Sequence, residues 1–310
     1  MAKNERINIE RILYPTDPSP PSNDAFEYAV ALARSYGAKL LLCSTTGSQP
    51  AYVASEDARR LFGEMMAKIN TDTAAPLDWK SISVEGDTAT EVARVAAEQR
   101  IDLVVTHSRK DQRAATLLDS TAEAISRTAP CPVLITPQRH LADATPTGGI
   151  GFKRILVAYD FSGDSELALT YGLSLAQEFQ SELHLIHVLS PVPKAVSQEA
   201  DMALATPERV FHATAKLLHN AVPAEAHLWS EVKQVVSQGL PYREILAYAR
   251  ENEIDLICIG ASGAGFGLWA LFGSNTDRIL RQAACPVLIA RPLRSVAQKA
   301  SFTANCQAAS

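Results

Sequence analysis

The chain has 310 residues, 47% of them apolar, and a formal net charge of -5, which predicts about two domains with material for two cores and no basic field to hold nucleic acid. No apolar run approaches the ~20 residues that span a bilayer, and the polar start Met1-Ala-Lys-Asn-Glu-Arg6 has no signal-peptide apolar region. A cytoplasmic protein without a membrane partner is expected.

Along the chain, Arg11-Ile-Leu13, Asp17, Tyr28, Leu32 and Ala33 recur as Arg154-Ile-Leu156, Asp160, Tyr171, Leu175 and Ala176. Ile101-Asp-Leu103 recurs as Ile254-Asp-Leu256, and Cys131-Pro-Val-Leu-Ile135 as Cys285-Pro-Val-Leu-Ile289. One unit has been duplicated. The expected domains are residues 1–140 and 150–294, joined through Gln138 to Phe152 with its Gly148-Gly149 pair, and followed by a Ser/Ala/Gln-rich tail at 295–310.

In the second unit, Arg154 to Tyr159 predicts a strand and Ser165 to Phe179 an amphipathic helix. Leu183 to Leu189 predicts the next strand. After a long connection from Ser190 to Thr206, a helix is expected near Pro207 to Asn220 and a strand near Leu228 to Val236. A helix beginning at Gly239-Leu-Pro241 runs to Glu251. Strands Ile254 to Ile259 and Val287 to Ala290 enclose a last helix, Asn275 to Ala283. Apolar strands alternating with helices predict two tandem α/β doubly wound domains, each with a parallel sheet covered on both faces. Such sheets bind ligands at the carboxyl ends of their strands.

Five cysteines, Cys43, Cys131, Cys258, Cys285 and Cys306, include no C-x-x-C pair; the first four read as small core residues and Cys306 as an exposed thiol in the tail. His184 and His187 are three apart on a strand and face opposite ways, so they do not share a metal. His212 and His219 could share a helical face, but no third ligand is evident.

The stretch Gly260-Ala-Ser-Gly263 through Gly273-Ser274-Asn275 leaves an apolar strand and opens a helix, the arrangement that brings backbone N–H groups against phosphate. Between the glycines, Phe266-Gly-Leu-Trp-Ala-Leu-Phe272 is apolar and carries no Lys or Arg. Ser274 and Asp277, like Ser120 and Glu123, have the spacing of a capping box. In the first unit His107, Lys110 and Asp119 stand where the glycines would be, so that unit is expected not to bind nucleotide in this way. Asp160 either serves the ligand or caps the turn that follows it.

The sequence resembles the universal stress protein family in its tandem form. The resemblance covers nearly all of residues 6 to 292 and rests chiefly on the pattern Gly, two residues, Gly, nine residues, Gly, Ser, matched by Gly260, Gly263, Gly273 and Ser274, with support from Asp160 and the His187-Val188 pair. It implies five parallel strands per domain in an adenine-nucleotide alpha-hydrolase-like fold, and an ATP site in the C-terminal domain. There Asp160 would face the adenosine end, Val188 would meet adenine through its backbone, and Gly260 and Gly263 would line ribose and phosphates. Gly273, Ser274 and Asn275 would hold the phosphates, with Mg or Mn as an accompanying ion. The expected function is a stress regulator or sensor rather than an efficient enzyme, with slow ATPase activity left open. The domains would form a pseudo-dimer within the chain, with a homodimer also open. The alternative is a scaffold or sequestering protein whose pocket takes an apolar or mixed metabolite.

Overall fold

A computed structural model of the chain describes residues 6–16, 23–46, 60, 62–64, 66–67, 76–108, 120–137, 151–190, 206–262 and 273–293. The chain divides into two compact units. The N-terminal unit comprises Asn8–Gly151 with Arg291–Ser310, and the C-terminal unit Phe152–Ala290 with Met1–Ile7.

In the N-terminal unit the elements are β1 (Arg11–Thr16), α1 (Asn23–Tyr36), β2 (Lys39–Thr46), β3 (Trp79–Glu85), α2 (Thr88–Glu98), β4 (Leu103–Ser108), α3 (Ser120–Thr128) and β5 (Val133–Pro137). Its strands lie in the order β3-β2-β1-β4-β5, all parallel. The C-terminal unit contains β6 (Arg154–Ala158), α4 (Gly163–Phe179), β7 (Glu182–Leu189), α5 (Pro207–Ala221), β8 (Val232–Gln238), α6 (Pro241–Glu251), β9 (Leu256–Gly260), α7 (Ser274–Gln282) and β10 (Val287–Ala290). Its order is β8-β7-β6-β9-β10, again all parallel. Each unit is therefore the expected five-stranded doubly wound sheet, and the strand order reverses beside its first strand.

Burial explains the strand sequences. Every residue of β9 and all of β10 is buried, as is β6 after Arg154, because helices cover both faces. The outer strands β3 and β8 are only half-buried and correspondingly polar. The strand expected from Leu228 begins later. Residues Ala224–Leu228 form a 3₁₀ turn after Pro223, anchored by buried Ala226, while Leu228 is exposed. β8 takes up its pairing only where Val232 meets Leu183.

The repeated Ile-Asp-Leu has a structural role that spacing alone did not show. One carboxylate oxygen of Asp255 accepts the N–H groups of Lys153 and Arg154, each at 2.9 Å. Asp102 does the same for Glu10 and Arg11, each at 2.9 Å. In both units this aspartate, preceding β9 or β4, ties the entry of the first strand to its neighbour. A second shared feature is a glycine in the left-handed region before the following helix: Gly86 at φ +133° and Gly239 at φ +156°, each with a glutamate, Glu91 or Glu244, folded against it.

The four cysteines among the described residues are unpaired; Cys43, Cys131 and Cys258 are buried and Cys285 is half-buried. Burial pushes the Cys43 and Cys131 thiols up to about 12, so they behave as core residues. Cys306 lies outside the described residues. His184 is fully buried in β7, with Nδ1 2.8 Å from the Tyr248 hydroxyl and Nε2 3.1 Å from Glu182. His187 has Nδ1 2.8 Å from the Tyr159 carbonyl instead. No group of three metal-ligating side chains occurs among the described residues, and no helix among them is long and apolar enough to cross a membrane.

Two outcomes follow. Asp255→Ala removes two charge-assisted hydrogen bonds and is expected to destabilise the C-terminal unit by about 2 kcal/mol in urea unfolding, with Asp255→Asn losing less. Burial holds the pKa of His184 below its ordinary value of 6.5, against the opposing pull of Glu182. The unfolded chain therefore binds that proton more tightly, and stability falls as pH drops through 6.5. His184→Gln should flatten the stability profile between about pH 5 and 7, as read from unfolding midpoints.

Candidate functional site

The carboxyl ends of β6, β7 and β9 and the start of α7 enclose a cavity of about 470 Å³ in the C-terminal unit. β6 brings Ala158 and continues into Tyr159 and Asp160; β7 brings Ile186, His187 and Val188; β9 brings Ile259 and Gly260. Ser262, then Gly273, Ser274, Asn275 and Thr276 at the start of α7, also line it, as do Pro241 and Ile245 of α6. Six of the seven residues singled out in the sequence, Asp160, Val188, Gly260, Gly273, Ser274 and Asn275, thus share one cavity. The seventh, Gly263, lies outside the described residues, as do the apolar stretch 266–272 and, in the N-terminal unit, Asp17, Lys110 and Asp119.

Gly260 is demanded by packing. A Cβ placed on it would lie 2.8 Å from both the backbone carbon and the Cβ of Asp164, in the first turn of α4. Asp164 in turn accepts the N–H of Ser262 at 2.9 Å. On the other side, the Thr276 hydroxyl donates to the Gly260 carbonyl at 3.0 Å. The Gly273 N–H donates to the Ala261 carbonyl at 3.2 Å, which closes the loop between β9 and α7 at its base. These bonds hold the helix start against the strand end.

The capping box does not form. The helix begins at Ser274 itself, Gly273 occupies the cap position, and no side chain caps the first turn. Asp277 instead binds Arg281 at 2.9 and 3.0 Å. The reason is the Gly273–Ala261 bond, which fixes Gly273 as the last extended residue and places Ser274 within the helix. Among the described residues no side chain caps these first-turn N–H groups, which lie at the end of the helix where partial positive charge collects.

Asp160 does shape the turn that follows it. Its carboxylate accepts the Ser162 N–H at 3.1 Å and also the Ser162 hydroxyl, while Ser162 caps α4 through the Ser165 N–H. The Asp160 N–H donates to the buried Ser165 hydroxyl at 3.2 Å. This tight turn puts Phe161 at φ +62°, a strained conformation for a bulky residue. Its ring sits 5.0 Å from Tyr159 and 4.8 Å from His187, so an aromatic cluster borders the cavity.

Asp160 is the lone Asp, Glu, Lys or Arg among the described lining residues. Arg278 of α7 stacks over the Tyr242 ring at 4.7 Å and is not among the described lining residues. Ser165, Ser262 and Thr276 were not singled out from the sequence, and His187 was named there only as half of the His187-Val188 pair. Only His187, beside Val188, carried a signal there; hydroxyl residues on a helix or loop have no distinguishing spacing.

Two stretches of the chain, residues 8–137 and 151–291, match the model of the Universal stress protein family. The universal stress protein YxiE of Bacillus subtilis is 30% identical over 148 residues, an alignment covering 45% of this chain and 99% of that protein. A universal stress protein of Thermus aquaticus is 32% identical over 143 residues, covering 45% and 99%. Among solved structures, a universal stress protein of Archaeoglobus fulgidus superposes with a TM-score of 0.65 at 21% identity, covering 91% of this chain and 98% of that one. A functionally unknown protein of Pseudomonas aeruginosa gives 0.67 at 18%, covering 96% and 98%. These two likenesses establish the fold.

Because Gly260 is set by the helix turn against it, Gly260→Ala is expected to destabilise the C-terminal unit by about 1–3 kcal/mol with no ligand present. Unfolding of the ligand-free variant checks this; unchanged stability would mean that the α4 turn moves aside freely.

Proposed function

Starting from the fact that the chain belongs to the universal stress protein family and carries its domain twice, we propose that the C-terminal domain binds ATP and that the protein acts as a cytoplasmic stress regulator or sensor rather than as an efficient catalyst. Asp160 would face the adenosine, Val188 would meet adenine through its backbone, and Gly260 and Gly263 would line ribose and phosphates. Gly273, Ser274 and Asn275 would hold the phosphates. The observation that carries this reading is the uncapped start of α7, set in the wall of the same cavity as Asp160 and Val188.

A Mg or Mn ion would arrive on the nucleotide. The described residues provide no cluster of ligating side chains for it, and its role would be to neutralise phosphate charge. The N-terminal domain would not bind nucleotide in this way, since His107 occupies in β4 the position that Gly260 holds in β9. His107 pairs with Thr136 just as Gly260 pairs with Ala290.

Titration with labelled ATP in magnesium buffer tests the site through two variants. Gly263→Lys should abolish binding. Ser274→Asp places an anion in the first turn of α7, where it suits the helix dipole but opposes phosphate; it should leave thermal stability equal or higher while weakening ATP binding by about tenfold or more. No binding by the wild type, or unchanged binding by both variants, would refute the proposal. A non-nucleotide adduct seen by native mass spectrometry would favour the sequestering alternative.

A further inference from the structure

The charge inventory of the cavity narrows its ligand, on the premise that it is a nucleotide site. Its described lining holds one charged side chain, the carboxylate of Asp160, and no lysine or arginine. The two stretches that adjoin the lining in sequence do not reverse this balance: 263–272 carries no charged residue, and 191–205 carries Lys194 against Glu199 and Asp201. The two arginines in the body of α7 are both engaged, Arg278 over Tyr242 and Arg281 with Asp277. Among the described residues, what the cavity offers a phosphate is the start of α7 with its first-turn N–H groups, the hydroxyl of Ser274 and the amide of Asn275.

A helix N-terminus amounts to roughly half an elementary positive charge. That suits one phosphate group with about two negative charges, as in a nucleoside monophosphate. Metal-free ATP brings about four, and sites that grip a polyphosphate directly use Lys or Arg for the purpose. With none in the described lining and Asp160 in the same cavity, the added charge has no protein counter-ion, and desolvating it is costly.

We infer that this pocket discriminates by ligand charge: it takes adenine nucleotides of low charge, binding the monophosphate directly and the triphosphate chiefly as a divalent-metal complex, with metal-free ATP bound much more weakly. The metal then acts as the counter-ion that the described lining does not supply, so occupancy by ATP depends on free divalent cation while occupancy by AMP does not.

Isothermal titration of the full-length protein with adenosine, AMP, ADP and ATP, each in EDTA and in excess magnesium, tests this. In EDTA the affinity should fall from AMP to ADP to ATP, with ATP weaker than AMP by about tenfold or more, and magnesium should restore ATP while leaving AMP within about twofold. Asn275→Lys, which adds a cation at the start of α7, should strengthen metal-free ATP binding more than AMP binding. Metal-free ATP binding as tightly as AMP would overturn the inference and leave the nucleotide reading standing. No binding by any of the four, in either buffer, would overturn both.

Discussion

The candidate site depends on one close approach, between the end of β9 and the first turn of α4. Gly260 lies so near the backbone of Asp164 that a Cβ would fall within 2.8 Å of it, and the Asp164 carboxylate then holds the N–H of Ser262. Further along the chain, the Gly273 N–H donates to the Ala261 carbonyl. The start of α7 is thereby fixed at the carboxyl edge of the sheet, with no side-chain cap on its first N–H groups among the described residues. The glycine thus contributes to the cavity through packing: it lets the helix turn sit where it can anchor the loop.

The duplicated unit separates scaffold from site. Asp102 and Asp255 make the same pair of backbone bonds, Gly86 and Gly239 share a left-handed turn, and both sheets have the same strand order. These features maintain the fold, and both halves keep them. At the register of Gly260, however, β4 carries His107. In the C-terminal unit a Cβ at this register would meet the first turn of α4, so a side chain does not fit that arrangement. The difference between the halves therefore lies in the rim, as expected when function is carried by loops on a common framework.

Much of this was legible in the sequence because it rests on periodicity and on residues with few alternatives. Apolar strands alternating with helices gave the doubly wound sheet, and the repeated landmarks gave two units. Asp160 and Val188 could be placed at strand ends, and Gly260, Gly273, Ser274 and Asn275 around one loop, so their meeting at one rim followed from topology. Other features depend on contacts between residues distant in sequence. The clamp of Asp255 on Lys153 and Arg154 spans about a hundred positions, and the approach of Asp164 to Gly260 has no local signature. The Ser-x-x-Asp spacing suggested a cap, but the tertiary bond from Gly273 to Ala261 moved the helix start by one residue and sent Asp277 to Arg281. The strand expected from Leu228 likewise began later, because Pro223 and buried Ala226 favoured a 3₁₀ turn.

One cavity with an uncapped helix start in one unit, and a histidine at the matching glycine position in the other, make the number of bound nucleotides the most direct measurement. Native mass spectrometry of the full chain with ATP and magnesium should show a single adenine nucleotide per chain at saturation. Two nucleotides per chain would contradict the assignment of binding to the C-terminal domain alone, and none would contradict the nucleotide site itself.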